Sequence, residues 1–396
     1  VRSICFVTLF LKQVFSIFIF VKKMSEPIEI TGEITGISYF AKLIPDLPQY
    51  SFSKFNVNHS EGSFILKNGS VNFFTSKWVS PKRTRSYPYA RVYNTLSGNK
   101  RITIIPLVKD EGANGDRDFI QWDTISLMSL LDVNVILGYY KTAEQSNSSG
   151  KAKITNQQFD NSYIKRKIRE LQGYQSSALH WNLLQIQTGL DDLMNKVIAS
   201  YSRIEKRSSV KLHSSAGLQN FKDKIIQGYE NFMKFSREKA MFASKREIRT
   251  SHKLEYLSTA SKARITIKNY LGGLYYFTVD EALINIKCKI VELIESKNST
   301  SAKLPSQDDI KDGLLKMILY SNLKEVKIDG IGFLAKPILI LTSVKNITEF
   351  NSDMNDSLLD NSMVENNFNK SEKALLLKLI DEARTNNFLL KVGKCQ

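Results

Sequence analysis

Hydrophobic and polar positions change their rhythm three times along this chain. Over 26–150 short apolar runs alternate with turn residues, and the pattern resolves into a strand over 101–108, a helix over 119–131 and a strand over 133–140. An α/β domain is expected there. The polar stretch QSNSSGKAK, 145–153, then marks a boundary. From about 160 the period lengthens. Leu179, Leu183, Ile186, Leu190, Leu193, Val197, Tyr201 and Ile204 recur at spacings of three and four, an apolar seam that fits a packed helical pair or short coiled coil. A second helix over 218–249 is its expected partner, and His180 and Trp181 are assigned to the core beside the seam.

After about 260 the period returns to two. Strands are expected over 264–270, 274–284 and 289–297, with Leu271-Gly272-Gly273 as the first turn. Leu304-Pro305-Ser306 opens a helix with Ser306 as N-cap and apolar positions at Ile310, Leu314 and Met317. A last strand runs over 333–341, so 218–341 reads αβββαβ. An Asn/Asp/Ser-rich linker, 346–370, and a terminal helix, 371–385, complete the chain, and no internal repeat is found.

The first 23 residues stand apart. VRSICFVTLFLKQVFSIFIFV is mostly apolar, which suits a signal or anchor, but Lys12 interrupts it and Met24 opens a conventional polar sequence. A start at Met24 is therefore expected, with an anchor as the alternative. The expected division is a leader, 1–23; an N-terminal α/β domain for DNA recognition, 24–150; a basic helical segment, 151–213; a catalytic core, 214–345; and a linker with a C-terminal helix, 346–396.

Charge narrows the partners. The 396 residues carry 56 Lys and Arg against 39 Asp and Glu, a net +17, which favours a polyanion. Of this excess, +11 falls within 151–253, where 20 basic residues meet 9 acids. A face gripping DNA phosphates is expected there. Cys5, Cys288 and Cys395 are too scattered for a disulfide framework or thiolate zinc site, which suits a reducing, cytoplasmic setting. The four histidines form no pair at metal-ligand spacing, and no phosphate-binding Gly-rich loop with its Lys is present, so neither zinc chemistry nor ATP hydrolysis is expected.

Phosphodiester hydrolysis without a protein nucleophile needs hard oxygen ligands for Mg²⁺ and a cation beside the attacking water. In VELIESK, 291–297, strand alternation puts Glu295 and Lys297 on one face. The preceding apolar run LYYFTVDE leads to Asp280, and antiparallel pairing can bring it beside Glu295. Asp280 and Glu295 are the candidate metal ligands, at the ends of apolar strands, and Lys297 the residue that orients or helps deprotonate the water. Two similar patterns are set aside: Asp309-Ile310-Lys311 opens a helix, where a carboxylate is favoured anyway, and Glu325-Val326-Lys327 begins a polar hairpin.

Asp280, fourteen intervening residues and Glu295-Ser296-Lys297 resemble the PD-(D/E)xK nuclease motif, with Val279 where the motif's name has proline. The αβββαβ order, IKNYLGGLYYFTVDE and LPSQDDIKDGLLKMILYSNL are similar to type II restriction endonucleases. The resemblance covers about a third of the chain. It implies a restriction-endonuclease-like core within a multidomain α+β protein, and Mg²⁺-dependent, sequence-specific cleavage of double-stranded DNA. A homodimer matched to a symmetric site is expected, with the helical seam as candidate interface, and a cognate methyltransferase is a possible partner. A structure-dependent repair or mobile-element nuclease and a non-catalytic DNA-binding protein are the alternatives.

Two further clusters bear on recognition. KWVSPKRTRSYPYARVYNT, 77–95, carries Lys77, Lys82, Arg83, Arg85 and Arg91 among aromatics and no acid, a pattern suited to phosphate or base contact. VKDEGANGDRDFIQWD, 108–123, gathers Asp110, Glu111, Asp116, Asp118 and Asp123. An acid-rich helix start is the favoured reading of these, with a second metal site, base readout or a structural loop as the alternatives.

Overall fold

The computed structural model describes residues 28–82, 85–146, 152–236, 238, 261–269 and 274–394. The expected leader, Arg83, Cys5, Cys395 and most of the second half of the helix expected over 218–249 lie outside them.

The described chain is a mixed α and β protein built on two main sheets. The smaller sheet takes β2 (Gln49–Ser51), β3 (Ser63–Asn68), β4 (Val71–Lys77), β5 (Lys100–Pro106) and β8 (Val133–Gly138), in that order. Helix α1 (Pro88–Tyr93) lies between β4 and β5, and α2 (Trp122–Leu130) makes the crossover between the parallel strands β5 and β8. Every residue of α2 is buried, because it is enclosed between β8 and the second sheet. The expected strand–helix–strand unit is present, with the helix starting three residues late. Arg117–Phe119 instead forms β7, paired with β6 (Val108–Asp110). A two-stranded ribbon of β9 (Tyr140–Gln145) and β10 (Ile154–Phe159) follows.

Helix α3 (Asn161–Gln172) is capped by Asp160, and α4 (Ala178–Ser208) by Ser177. The seam expected on α4 is real, but its function differs from that expected. Ile186, Leu190, Leu193, Val197, Tyr201 and Ile204 are buried, and the helix packs on β8 and β9 of its own chain. It is not a free dimer face, because the apolar stripe is already covered by the sheet. Trp181 is in the core, its Nε1 donating to the Val135 carbonyl at 2.7 Å. His180 is exposed, one helical residue out of phase with Trp181, and stacks on Tyr174. The long partner helix expected from 218 begins as α5 (Ser215–Ile225), which ends in a turn before Gly228.

The larger sheet has nine strands. To those already named it adds β1 (Ile28–Ile34), β11 (Ser261–Asn269), β12 (Leu274–Asn285), β13 (Ile290–Ser299), β14 (Lys324–Ile328), β15 (Ile331–Gly332), β16 (Leu334–Ser343), β17 (Phe350–Asn351) and β18 (Leu389–Lys394), and its order is β15-β14-β1-β11-β12-β13-β16-β18-β17. Strands β11, β12 and β13 form an antiparallel meander, and β16 returns parallel to β13 through helix α6 (Gln307–Ser321). Ser306 caps α6, accepting from Asp309 N–H at 3.1 Å. Ile310, Leu314 and Met317 are buried against β13 and β16.

Both ends of the described residues feed this sheet. Strand β1 pairs parallel with β11, although it precedes that strand by more than two hundred residues, and β18 pairs parallel with β16. The stretch expected to be a linker is ordered structure: α7 (Asp356–Glu365) is capped by Asn355, and the buried Asn366 amide donates to the Thr348 carbonyl at 3.0 Å. Its Asn and Ser residues are caps and turn formers rather than a solvated tether. Helix α8 (Lys370–Thr385) begins with a capping box between Asn369 and Glu372. One continuous apolar core runs from Phe64 and Ile104 in the smaller sheet to Val279 and Leu293 in the larger.

Candidate active site

Asp280 lies at a break in the pairing of β12. Leu274–Val279 and Ala282 pair with β11, Glu281–Asn285 pair with β13, and the register shift between Ser261 and Ala263 of β11 leaves Asp280 without a partner in the β11 register. Asp280 therefore does not end a strand, as the sequence suggested, but sits at the irregularity in the pairing of β11 with β12. Such a bulge re-aims side chains that a regular pleat would alternate. The β12–β13 register, with Glu281 opposite Ile294, sets Asp280 alongside Glu295. Asp280 is exposed, and its Oδ2 accepts from Ser296 N–H at 3.1 Å.

Glu295 lies in the middle of β13, only 1% exposed. The pleat places Lys297 on the same face, and Lys297 Nζ stands 3.0 Å from Glu295 Oε1. Helix α6 completes the cluster with two residues absent from the sequence reading. Asp312 Oδ2 is 2.7 Å from Lys297 Nζ, and Lys316 Nζ is 2.6 Å from Glu295 Oε2. Asp312 and Lys316 are one helical turn apart, so one face of α6 presents both. Gly313 lets that face come close: a Cβ there would stand 2.8 Å from Leu339 Cδ1 and 3.4 Å from Lys297 Cε.

Electrostatics follow from this packing. Burial pushes the Glu295 carboxyl above its ordinary value and Asp280 adds to the rise, while Lys316 and Lys297 hold it down. For Lys297 burial favours the neutral amine, but Glu295 and Asp312 outweigh it and raise the value. Lys297 is thus kept as an ammonium, which can donate to an anion or a water but cannot accept a proton. The repulsion between Asp280 and Glu295 is what a cation between them would relieve. Two carboxylates suit Mg²⁺, which is commonly held by one or two and keeps several waters. Among the described residues no group of three or more His, Cys, Asp or Glu side chains is placed to hold a metal.

The basic run and the acidic cluster turn out to meet each other. Arg85 pairs with Glu111 and Asp116, and its Nε is 3.3 Å from Asp118 Oδ2. Asp110 is buried, accepting from Gly112 N–H at 2.9 Å with His213 Nδ1 at 2.8 Å. These acids are charge-compensated, so the second metal site has no support. Lys77 donates to the Val57 carbonyl at 2.9 Å and to the Ser60 carbonyl, and burial and then Arg91 bring its pKa down to about 8. Arg91 donates to the Lys77 carbonyl at 2.6 Å. Lys77, Arg85 and Arg91 are therefore internal braces, while Lys82 is exposed. Helix α1, within the same run, packs on α6, so this segment buttresses the helix that carries Lys316.

Across the basic stretch 151–253, acids pair with Lys167, Lys196 and Lys222, while Arg203, Lys206, Arg207 and Lys211 are exposed around the end of α4. No described helix is long and apolar enough to cross a membrane. Comparison with protein-family models, curated proteins and solved structures gives no match.

Proposed function

We propose that this chain is a Mg²⁺-dependent, site-specific double-stranded DNA endonuclease of type II restriction character, with a PD-(D/E)xK-like core. The observation that carries the reading is the convergence of Asp280, Glu295 and Lys297 beside the register shift between β11 and β12. The order β11, β12, β13, α6 and β16 supports it, with the β14–β15 hairpin inserted between α6 and β16. So does the net charge of +17.

Asp280 and Glu295 would hold the metal, which when bound polarises a phosphoryl oxygen and lowers the pKa of its waters. Lys297, fixed as an ammonium by Glu295 and Asp312, would orient the attacking water and balance charge on the phosphate. Lys316 holds Glu295 in place and offsets its burial. Lys82 and the basic end of α4 are the proposed backbone contacts, and a dimer is expected for a symmetric target.

Incubation with plasmid and phage DNA in Mg²⁺, beside metal-free and Lys297→Ala controls, tests this. Discrete bands lost in both controls are expected. A smear would point to a structure-dependent nuclease. A salt-sensitive mobility shift without cleavage would leave a DNA-binding protein and overturn the enzymatic reading.

A further inference from the structure

A cavity of about 320 Å³ lies at the base of the β9–β10 ribbon, in the other main sheet region from Asp280. That volume is at the lower end of the roughly 300–1,000 Å³ typical of small-ligand sites. Its floor includes the buried apolar side chains of Val57, Ile154 and Phe159. All six residues of β10 line it, where a regular strand would present only alternate ones. The cause is visible in the backbone: the β9–β10 register shifts on both sides of Gln158, and Asn156 has φ +47. Strain of this kind persists where surrounding structure enforces it and clusters at binding sites.

The chemistry of the wall is specific. Gln158 Nε2 donates to Asn156 Oδ1, a bond that engages one donor and one acceptor of the two amides. The Asn156 NH₂ group and the Gln158 carbonyl are the complementary donor and acceptor. Gln157 is committed elsewhere, donating to the Asp110 carbonyl at 2.7 Å and accepting from Tyr201 at 2.9 Å. Of the charged lining residues, Lys77 is committed to the Val57 and Ser60 carbonyls and Lys109 stands 3.3 Å from the single acid Glu111, which leaves one net positive charge at the wall, with Lys109 the cation nearest a ligand phosphate. An apolar floor, an amide edge and an excess of positive charge are what a flat heteroaromatic ring carrying a phosphate requires.

We infer that this cavity binds a single nucleobase attached to a phosphate, either a free mononucleotide or a base swung out of a DNA strand. The second source rests on the DNA reading above; the first does not. In a strand-borne complex the hydrogen-bonding edge of the base would face Asn156 and Gln158, with Lys109 near the phosphate.

The test uses the full chain and two probes: 2-aminopurine riboside monophosphate, and a duplex with one internal 2-aminopurine and a distal fluorescein. Asn156→Gly with Gln158→Ala removes both amides while suiting the positive φ at 156, and Thr155→Trp, at an exposed lining position, blocks the space. Circular dichroism checks the fold of each. Saturable change of 2-aminopurine emission in at least one probe, weakened about tenfold by the double variant and by Thr155→Trp, supports the site. A response to the mononucleotide alone identifies a free nucleotide, and a response to the duplex alone identifies a base from DNA. No emission change with either probe, or changes equal in wild type and variants, overturns it. Fluorescein anisotropy reports duplex binding separately: if it does not change, the DNA reading fails while the mononucleotide arm still decides the cavity.

Discussion

Lys316 Nζ lies 2.6 Å from Glu295 Oε2, reaching from α6 to a carboxylate that β13 buries almost completely. A buried carboxylate that loses a partner keeps its desolvation cost. Lys316→Met should therefore lower stability by about 1–3 kcal/mol, read as a fall in urea midpoint. Lys316 is the largest of the influences holding the Glu295 value down, so its removal should raise that value further. Cleavage that needs the carboxylate then loses its activity at higher pH, and the acid limb of the pH–rate profile moves up. An unmoved limb would separate Lys316 from the chemistry.

Arg85 and Lys82 are neighbours in one basic run with opposite expected effects. Arg85→Ala removes the partner shared by Glu111, Asp116 and Asp118, of which Glu111 keeps Lys109 and Asp118 keeps Ser80, and should cost about 1–3 kcal/mol. Lys82→Ala, at an exposed position, should change stability by less than about 0.5 kcal/mol and weaken DNA binding instead. Thermal melts beside mobility shifts read both. Equal melting temperatures would show that the Arg85 network is not structural.

Lys77 makes a pH prediction. Unfolded, its ammonium persists to 10.5; folded, burial lets it go at about 8. Between these values the unfolded state binds more protons, so this group makes the protein more stable as pH rises. Below about 8 both states are protonated and the contribution is constant. Wild type should gain stability relative to Lys77→Met across that window, measured by urea unfolding on either side of it. A constant difference would contradict the assignment.

The exposed cations at the end of α4 should set the salt dependence of DNA binding. Reversal of Arg203, Lys206 and Arg207 to Glu should flatten the slope of log affinity against log salt. An unchanged slope would place the phosphate contacts elsewhere.

Much of the site was legible because it depends on local rules. Period two puts Glu295 and Lys297 on one face, and capping chemistry marks Ser306 as the start of α6. What was hidden depends on distant pairing. Nothing near Ile28 signals that β1 will join β11, and nothing in the polar texture of 346–370 tells a helix cap from a tether. Lys316 and Asp312 carry no signal of their own in the sequence, and only the close approach at Gly313 shows what they face. The basic run suggested a DNA contact and the acidic run an acid-rich helix start, since composition shows charge but not that Arg85 will find Glu111.

The central claim is that Asp280 and Glu295 support metal-dependent strand cleavage. Single-turnover cleavage of plasmid in Mg²⁺ by wild type, Asp280→Asn and Glu295→Gln tests it most directly, with DNA binding in Ca²⁺ measured in parallel. The account predicts discrete wild-type products and a loss of about a hundredfold or more in either variant, with binding retained. Either variant cutting at the wild-type rate, or a wild type that binds DNA and never cuts it, would contradict it.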